Sequence, residues 1–235
     1  MPFNVGGYII NSGIAAVDDY ASVVQRGLIL ALDASASASY SGSGTTVYDL
    51  TGNANGTING SISFTSDGQK SYFNFATAND SNYISSATSQ NYLDVTAVFQ
   101  PDFNSTTGIA GLIGTNTAAS MADKSLRFVG VDGTGPWTLT GRNPGDANDW
   151  AYSSGTTYYV NGSVSTTLVS GWNIFGGYRT NQSTFPPNFS YYIGSSGFIN
   201  RGFQGKLAAI FMYNRQLSPA EQVFNYNVLR SRFGI

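Results

Sequence analysis

The sequence contains no cysteine and no histidine, and its only glutamate is Glu221. Without cysteine there is no disulfide staple and no thiolate metal site. Without histidine the usual general base near neutral pH is missing, as is the commonest metal ligand, and a Ser–His–Asp triad is excluded. Charge is scarce altogether: 10% of the residues carry it, against roughly 25% in typical soluble domains. The net charge of −2 is close to balance, and the basic residues are scattered. No stretch therefore suits a run of phosphates or an anionic membrane, and neither nucleic acid nor membrane is an expected partner. No apolar run has the length needed to span a bilayer. The opening "MPFNVGGYIINSGIAAVDDY" has neither a basic leader nor a long apolar core, so no signal peptide is expected there and the expectation is a protein that starts in a cytoplasm.

What the chain does have is Gly, Ser, Thr, Asn and aromatic residues, the last comprising Trp 3, Tyr 15 and Phe 15 in 235 residues. A single β-sandwich is commonly this long, and folding such a chain buries roughly 70% of its unfolded surface. Residues 1–26 stand apart as an N-terminal arm. Gly6-Gly7 reads as a joint, Tyr8, Ile9 and Ile10 as an apolar patch, and Ile14, Val17, Ala21 and Val24 recur at helical spacing. From residue 27 onward the pattern is short strands between turn residues. "GLILALDA" (27–34) is a continuous apolar run, as in a strand buried on both faces. "KSYFNFA" alternates and sets Tyr72 and Phe73 on opposite faces. "LDVTAVFQP", "GIAGLIGT", "LRFVGV", "WTLTG", "SYYIGSS" and "GKLAAIFMY" read as further strands, with a brief one near Val47–Leu50. Asn161-Gly162 joins "TTYYV" to "SVSTTL" and is the pair a type I′ hairpin turn favours.

About ten strands with helix only at the chain ends define an all-β, antiparallel sandwich. The C-terminal helix announces its own start. Ser218-Pro219-Ala220-Glu221 is a capping box with proline at the first helical position, and Gly234 suits the stop. Val223, Tyr226 and Arg230 are expected on one side of it, with Phe224, Val228 and Leu229 adding apolar surface.

Four stretches together resemble the laminin G-like, concanavalin A-like jelly-roll domains, particularly those of bacteriophage virion proteins. They are "GLILALDA" with Tyr40, "VYDLTGNANGTI", "YFNFATANDSNYI" and "FMYNRQLSPAEQVFNYNVLRSRFGI". The last is close to Y-N-R-x-L-S-x-x-E-x-x-x-N ending in R-[FY]-G-I, and the likeness covers residues 27–235. In the third stretch Ala76-Thr77 stand where the family has Asp-Gly, so a ligand role for an aspartate there is lost. The resemblance implies a jelly-roll domain over 27–235. It also implies a functional range that includes glycan binding, Ca²⁺ binding, β-glucan hydrolysis and a place in phage particles.

The residues narrow that range. Glycosidase chemistry needs paired carboxyls; Glu221 is absorbed by the helix cap, and the one aspartate pair at D-x-D or D-x-x-D spacing, Asp146 and Asp149, lies in a loop. An enzyme is not expected, and neither is a cofactor. For Ca²⁺, which needs several converging oxygens, the candidates are Asp146, Asn148 and Asp149, or Asp49, Asn53 and Asn55. Both sets read as turns, in which Asp and Asn bond their own backbone, and no metal site is expected. Trp137, Trp150, Tyr152 and Trp172 are the aromatic candidates for sugar contact, with Trp150, Asp149 and Tyr152 the preferred group. Asn-x-Ser/Thr triplets at Asn55, Asn104 and Asn181 read as accidents of composition.

The expected role is a non-enzymatic structural component of a phage virion. It would be a homo-oligomeric capsid decoration protein that anchors to the major capsid protein or other virion subunits through Tyr8, Ile9, Ile10, Ile14 and Val17. The alternative is a carbohydrate-binding component of the phage tail that recognises a cell-surface glycan.

Overall fold

Asn161 and Gly162 have φ of 52° and 78° and join two paired strands, the backbone that a type I′ turn imposes. This hairpin lies at one edge of the larger of two sheets in the computed structural model. The structure describes residues 4–5, 8–9, 22–68, 70–86, 92–102, 109–115, 126–129, 138–140, 157–178, 190–195 and 202–235.

Strands are numbered along the chain. β1 (Asn4–Val5) and β2 (Tyr8–Ile9) pair with each other. A seven-stranded sheet runs in the order β12 (Thr138–Thr140), β11 (Leu126–Val129), β10 (Ile109–Thr115), β16 (Tyr191–Ile193), β8 (Tyr83–Ser86), β5 (Gly56–Asn59), β4 (Thr46–Val47). The larger sheet runs β14 (Ser163–Val164), β13 (Tyr158–Val160), β15 (Asn173–Tyr178), β9 (Asp94–Pro101), β17 (Gly205–Tyr213), β7 (Ser71–Phe75), β6 (Ile62–Ser66). Its eighth strand, β3 (Leu28–Asp33), lies in line with β7 along the same edge of β17. Every strand pairing is antiparallel. The protein is an antiparallel β-sandwich with one C-terminal helix, α1 (Pro219–Phe233). No helix among the described residues is long and apolar enough to cross a membrane.

Alternation divides each strand of the larger sheet between two environments. Leu30, Leu32, Phe73, Phe75, Val95, Ala97 and Phe99 face inward and join Leu112, Tyr191 and Ile193 of the other sheet in the main core. Ala31, Tyr72, Val98, Ile174, Phe211 and Tyr213 face outward into a second apolar cluster with Leu229 and Phe233 of α1. β3 is thus buried on both faces, as its unbroken apolar sequence requires. The pairing of β17 with β9 slips one residue between Leu207 and Ala209. This bulge reverses the phase of β17: Lys206 points outward before it, and Phe211 and Tyr213 point outward after it.

The helix buries Gln222, Asn225, Leu229 and Phe233. The expected grouping of Val223, Tyr226 and Arg230 is not the packed one, because Val223 and Arg230 are exposed. Half of the buried face is amide, since the sheet beneath it offers polar groups. Asn225 Nδ2 donates to Thr96 Oγ1 at 3.1 Å and to the Tyr213 hydroxyl at 3.0 Å, while its Oδ1 accepts the Val24 N–H at 2.9 Å. Gln222 Nε2 donates to both Asp94 oxygens at 3.0 Å, and the Leu217 N–H donates to Asp94 Oδ2 at 2.9 Å.

The capping box forms as read: Ser218 Oγ accepts the Glu221 N–H, and Glu221 Oε2 accepts the Ser218 N–H at 2.8 Å. Both Glu221 oxygens also accept from Arg215, at 2.9 and 2.5 Å. Gly234 closes the helix with φ of 60°. Arg215 further donates from Nε to the Arg26 carbonyl at 2.9 Å. Within the stretch assigned to the arm, Val23 and Val24 are buried in the second cluster. The proposed helical residues Ile14, Val17 and Ala21 lie outside the described residues.

Candidate functional site

α1 covers only one end of the outer face of the larger sheet. At the other end three outward side chains form a row across neighbouring strands. Lys206 of β17 is paired in register with Asn74 of β7 on one side and Gln100 of β9 on the other. With Asp102, Ser170 and Gly205 they line a groove of about 340 Å³. Asp102 accepts from Gln204 Nε2 at 3.0 Å, and Gln100 Nε2 reaches the Ser170 carbonyl at 3.4 Å. The side chains of Asn74 and Lys206 have no hydrogen-bond partner among the described residues.

Beside this row, Tyr72 and Trp172 meet edge-on with ring centroids 5.7 Å apart. Lys206 Nζ stands 5.0 Å from the Tyr72 ring centroid, and Lys70 Nζ stands 5.7 Å from that of Trp172. Both lie within the range at which a ring quadrupole attracts a cation. Tyr72 and Lys70 are each 9% exposed. The two rings and the two lysines therefore pack as one layer.

Three carboxyls outside the groove have shifted pKa values, each for a structural reason. Burial holds Asp94 well above the usual carboxylate range, against the lowering effect of its hydrogen bonds from Leu217 and Gln222. Burial likewise raises Asp33, and the neighbouring Arg232 pulls it back. The Arg215 guanidinium lowers Glu221 to about 2. An acid that transfers protons to a substrate must reach it. Asp33 and Asp94 are fully buried and Glu221 is locked in its ion pair, so none of them is placed for that work.

The aspartate loop of "DLTGNAN" is a turn. Asp49 Oδ1 accepts the N–H groups of Ala31 (2.8 Å) and Thr51 (3.0 Å). Its Oδ2 accepts Thr51 Oγ1–H (2.6 Å) and the N–H groups of Asn53 and Ala54 (both 3.1 Å). Asn55 Oδ1 accepts the Asp49 N–H. Five donors converge on one carboxylate, which spends its lone pairs on the backbone that ties this loop to β3. Among the described residues no three acidic groups converge as metal ligands.

Of the residues singled out from sequence, Trp172 lies beside the groove, against Tyr72. Trp137, Asp146, Asn148, Asp149, Trp150 and Tyr152 lie outside the described residues, as do Ile10, Ile14 and Val17. Tyr8 and Ile9 form β2, which among the described residues pairs only with β1. The groove itself went unread, because its side chains come from four separate parts of the chain. The signal available was "KSYFNFA": alternation puts Tyr72 and Asn74 on the face opposite the core.

No protein-family model matches the chain, and no curated protein sequence does. Solved structures do. Domain 4 of the extracellular arabinanase AbnA from Geobacillus stearothermophilus, in complex with arabinotriose, is similar at 16% identity. Its TM-score is 0.53, over 83% of this chain and 96% of that one. The sialidase of Trypanosoma rangeli is similar at 16% identity with a TM-score of 0.52, over 89% of this chain and 33% of that one. The receptor-binding domain of botulinum neurotoxin type G is similar at 12% identity with a TM-score of 0.50, over 86% of this chain and 51% of that one. This chain thus spans a third of the sialidase and half of the toxin domain, and nearly all of the arabinanase domain. At such identities the likeness shows the fold alone. That fold is the β-sandwich shared by carbohydrate-binding and carbohydrate-processing proteins and by a toxin's receptor-binding domain. It carries no activity and no phage setting with it.

Proposed function

We propose that this chain is a non-catalytic carbohydrate-binding module, and that the saccharide lies in the groove along Asn74, Lys206 and Gln100. One observation carries the reading: a polar row across three strands is left open on a sheet face whose other end is covered by α1. Sugar hydroxyls both donate and accept, and here amide, carboxylate and ammonium groups stand side by side to meet them. A groove of about 340 Å³ falls at the lower end of the range for small-molecule sites. Among the described residues Asp102 is the one carboxylate lining it, so they do not supply the paired carboxyls of a glycosidase there. A domain of similar fold held arabinotriose, which supports a sugar as the class of ligand. The test is a broad glycan panel with the intact chain and with Asn74→Ala/Gln100→Ala. Binding that falls at least tenfold in the double variant, at unchanged melting temperature, is expected. Binding equal in both proteins, or to no glycan at all, would overturn it.

A second reading concerns setting. Residues 22–26 are tied to the body through buried Val23 and Val24, while β1 and β2 pair only with each other among the described residues. A segment fastened at one end, with apolar Tyr8, Ile9, Ile10, Ile14 and Val17 ahead of it, suits an anchor to a lattice of other subunits. Together with the sequence likeness to phage virion domains, this supports a capsid decoration protein. Quantitative mass spectrometry of purified particles tests it. Hundreds of copies in simple ratio to the shell protein are expected, because symmetry multiplies each site. A few dozen copies or fewer would favour a receptor-binding tail component, and absence from particles would remove the setting.

A further inference from the structure

We infer that the groove takes an acidic saccharide, one bearing a carboxylate or a sulfate on its sugar ring, and that Lys206 and Lys70 select it. This rests on the carbohydrate reading above. The chain has three lysines, Lys70, Lys124 and Lys206; Lys206 lines the groove, and Lys70 stands beside it over the neighbouring ring of the Tyr72–Trp172 pair. Arg215 pairs with Glu221 and Arg232 with Asp33, whereas Arg26 and Arg230 have no carboxylate partner among the described residues. Neither Lys206 nor Lys70 has a carboxylate partner among the described residues. In so weakly charged a sequence, two unpaired ammonium groups on a half-covered sheet face need a reason.

The aromatic pair supplies part of it. Ring quadrupoles hold cations in place but do not neutralise them, so each ammonium keeps its charge for a ligand. The same contacts occupy ring surface that a neutral sugar would need for stacking. Tyr72 is 9% exposed and already packs against Trp172 and beneath Lys206. What remains for recognition is the pair of cations and the amides of Asn74 and Gln100. Asp102 also lines the groove and keeps its negative charge although Gln204 donates to it, so an anionic group has to sit on the lysine side, away from that carboxylate. A lysine ammonium is a compact point charge, suited to a single carboxylate or sulfate without the planar fork that arginine offers. The amides then serve the neighbouring hydroxyls.

Two matched pairs of probes test this by calorimetry on the intact chain: trigalacturonate against its trimethyl ester, and cellotriose 6-O-sulfate against cellotriose. The charged member of at least one pair is expected to bind about 10- to 100-fold more tightly, as one charge-assisted contact allows. Preference confined to the first pair identifies a carboxylate, and to the second a sulfate. Lys206→Met keeps the stem over Tyr72 and removes the charge. It is expected to abolish the preference and its salt dependence at an unchanged melting temperature. Equal binding of charged and neutral members would overturn the inference and leave the carbohydrate reading standing. A preference that survives both Lys206→Met and Lys70→Met would do the same. No binding to these probes or across the broad panel would overturn both.

Discussion

Asn225 is the residue on which helix docking turns, and Asn225→Ala is the sharpest test of that account. Its amide makes three hydrogen bonds: to Thr96 (3.1 Å), to Tyr213 (3.0 Å) and from the Val24 N–H (2.9 Å). All four residues are at most 3% exposed. Truncation leaves the Val24 N–H in a place no water reaches, at a cost of about 1–3 kcal/mol for a stranded buried donor. The two hydroxyls can rotate toward other partners, so each lost bond costs about 0.5–1.5 kcal/mol. The expected loss is about 3–5 kcal/mol, a large share of the roughly 5–15 kcal/mol that holds a typical domain. Urea unfolding reads it as a fall in midpoint at constant slope.

A second variant separates hydrogen bonding from packing. Asn225→Leu fills the volume that alanine leaves empty but still strands the Val24 N–H, and is expected to be nearly as unstable as the alanine variant. Hydrogen exchange at the Val24 amide should accelerate in both variants well beyond the main-core strands, because residues 22–26 lose their tie to α1. If leucine restores most of the stability, or if Val24 stays protected, the network does not dock the helix and its energetics lie in cavity terms instead.

Two further predictions concern pH. Glu221 has its folded pKa lowered to about 2, chiefly by Arg215, so its contribution is present above about 4.5 and lost as pH falls toward about 2. The pair is 24% and 25% exposed, and solvent screening reduces its worth to about 1 kcal/mol; Glu221→Gln should cost that much at pH 7 and almost nothing at pH 2, measured by urea midpoints. Asp94 has the opposite sign: burial raises its folded pKa, so the folded state holds the proton more tightly and stability falls as pH rises above about 4. Asp94→Asn should remove this slope, so that the stability of wild type relative to the variant declines with rising pH; a difference flat from pH 4 to 8 would refute the assignment.

Much of the fold was legible because it rests on local chemistry. The capping box, the Asn161-Gly162 turn and the doubly buried β3 each follow from a few adjacent residues, and all three form as read. β15 went unread because "NIFGGY" carries two glycines, which weaken a strand signal. The sheet requires both: a side chain on Gly176 would overlap Gln222 Oε1, and one on Gly177 would come within 2.7 Å of the Phe175 and Tyr158 rings. Close approach of α1 was bought there at the expense of strand propensity, a trade no single-strand pattern displays. The packed face of α1 was misjudged for a related reason. An apolar stripe was the expectation, but Gln222 and Asn225 face Asp94, Thr96 and Tyr213, and those partners are fixed only by the pairing of β9 with β17.

The same pairing explains why the candidate groove was invisible and also why it exists. The bulge at Ala208–Ala209 turns Phe211 and Tyr213 toward the helix while leaving Lys206 outward beside Asn74 and Gln100. On the helix side every outward polar group named above is bonded: Asp94 accepts three hydrogen bonds, and Thr96 and Tyr213 share the Asn225 amide. On the open side Asn74 and Lys206 are left without hydrogen-bond partners among the described residues. Buried polar groups are satisfied because leaving them bare is costly, whereas exposed ones are satisfied by water that a ligand displaces. One sheet face thus holds a structural half, which the C-terminal motif completes, and a half free to bind. Of the stretches that carried the family resemblance, the C-terminal one, from Tyr213 to Asn225, belongs wholly to the structural half, while "YFNFATANDSNYI" brings Asn74 to the open half.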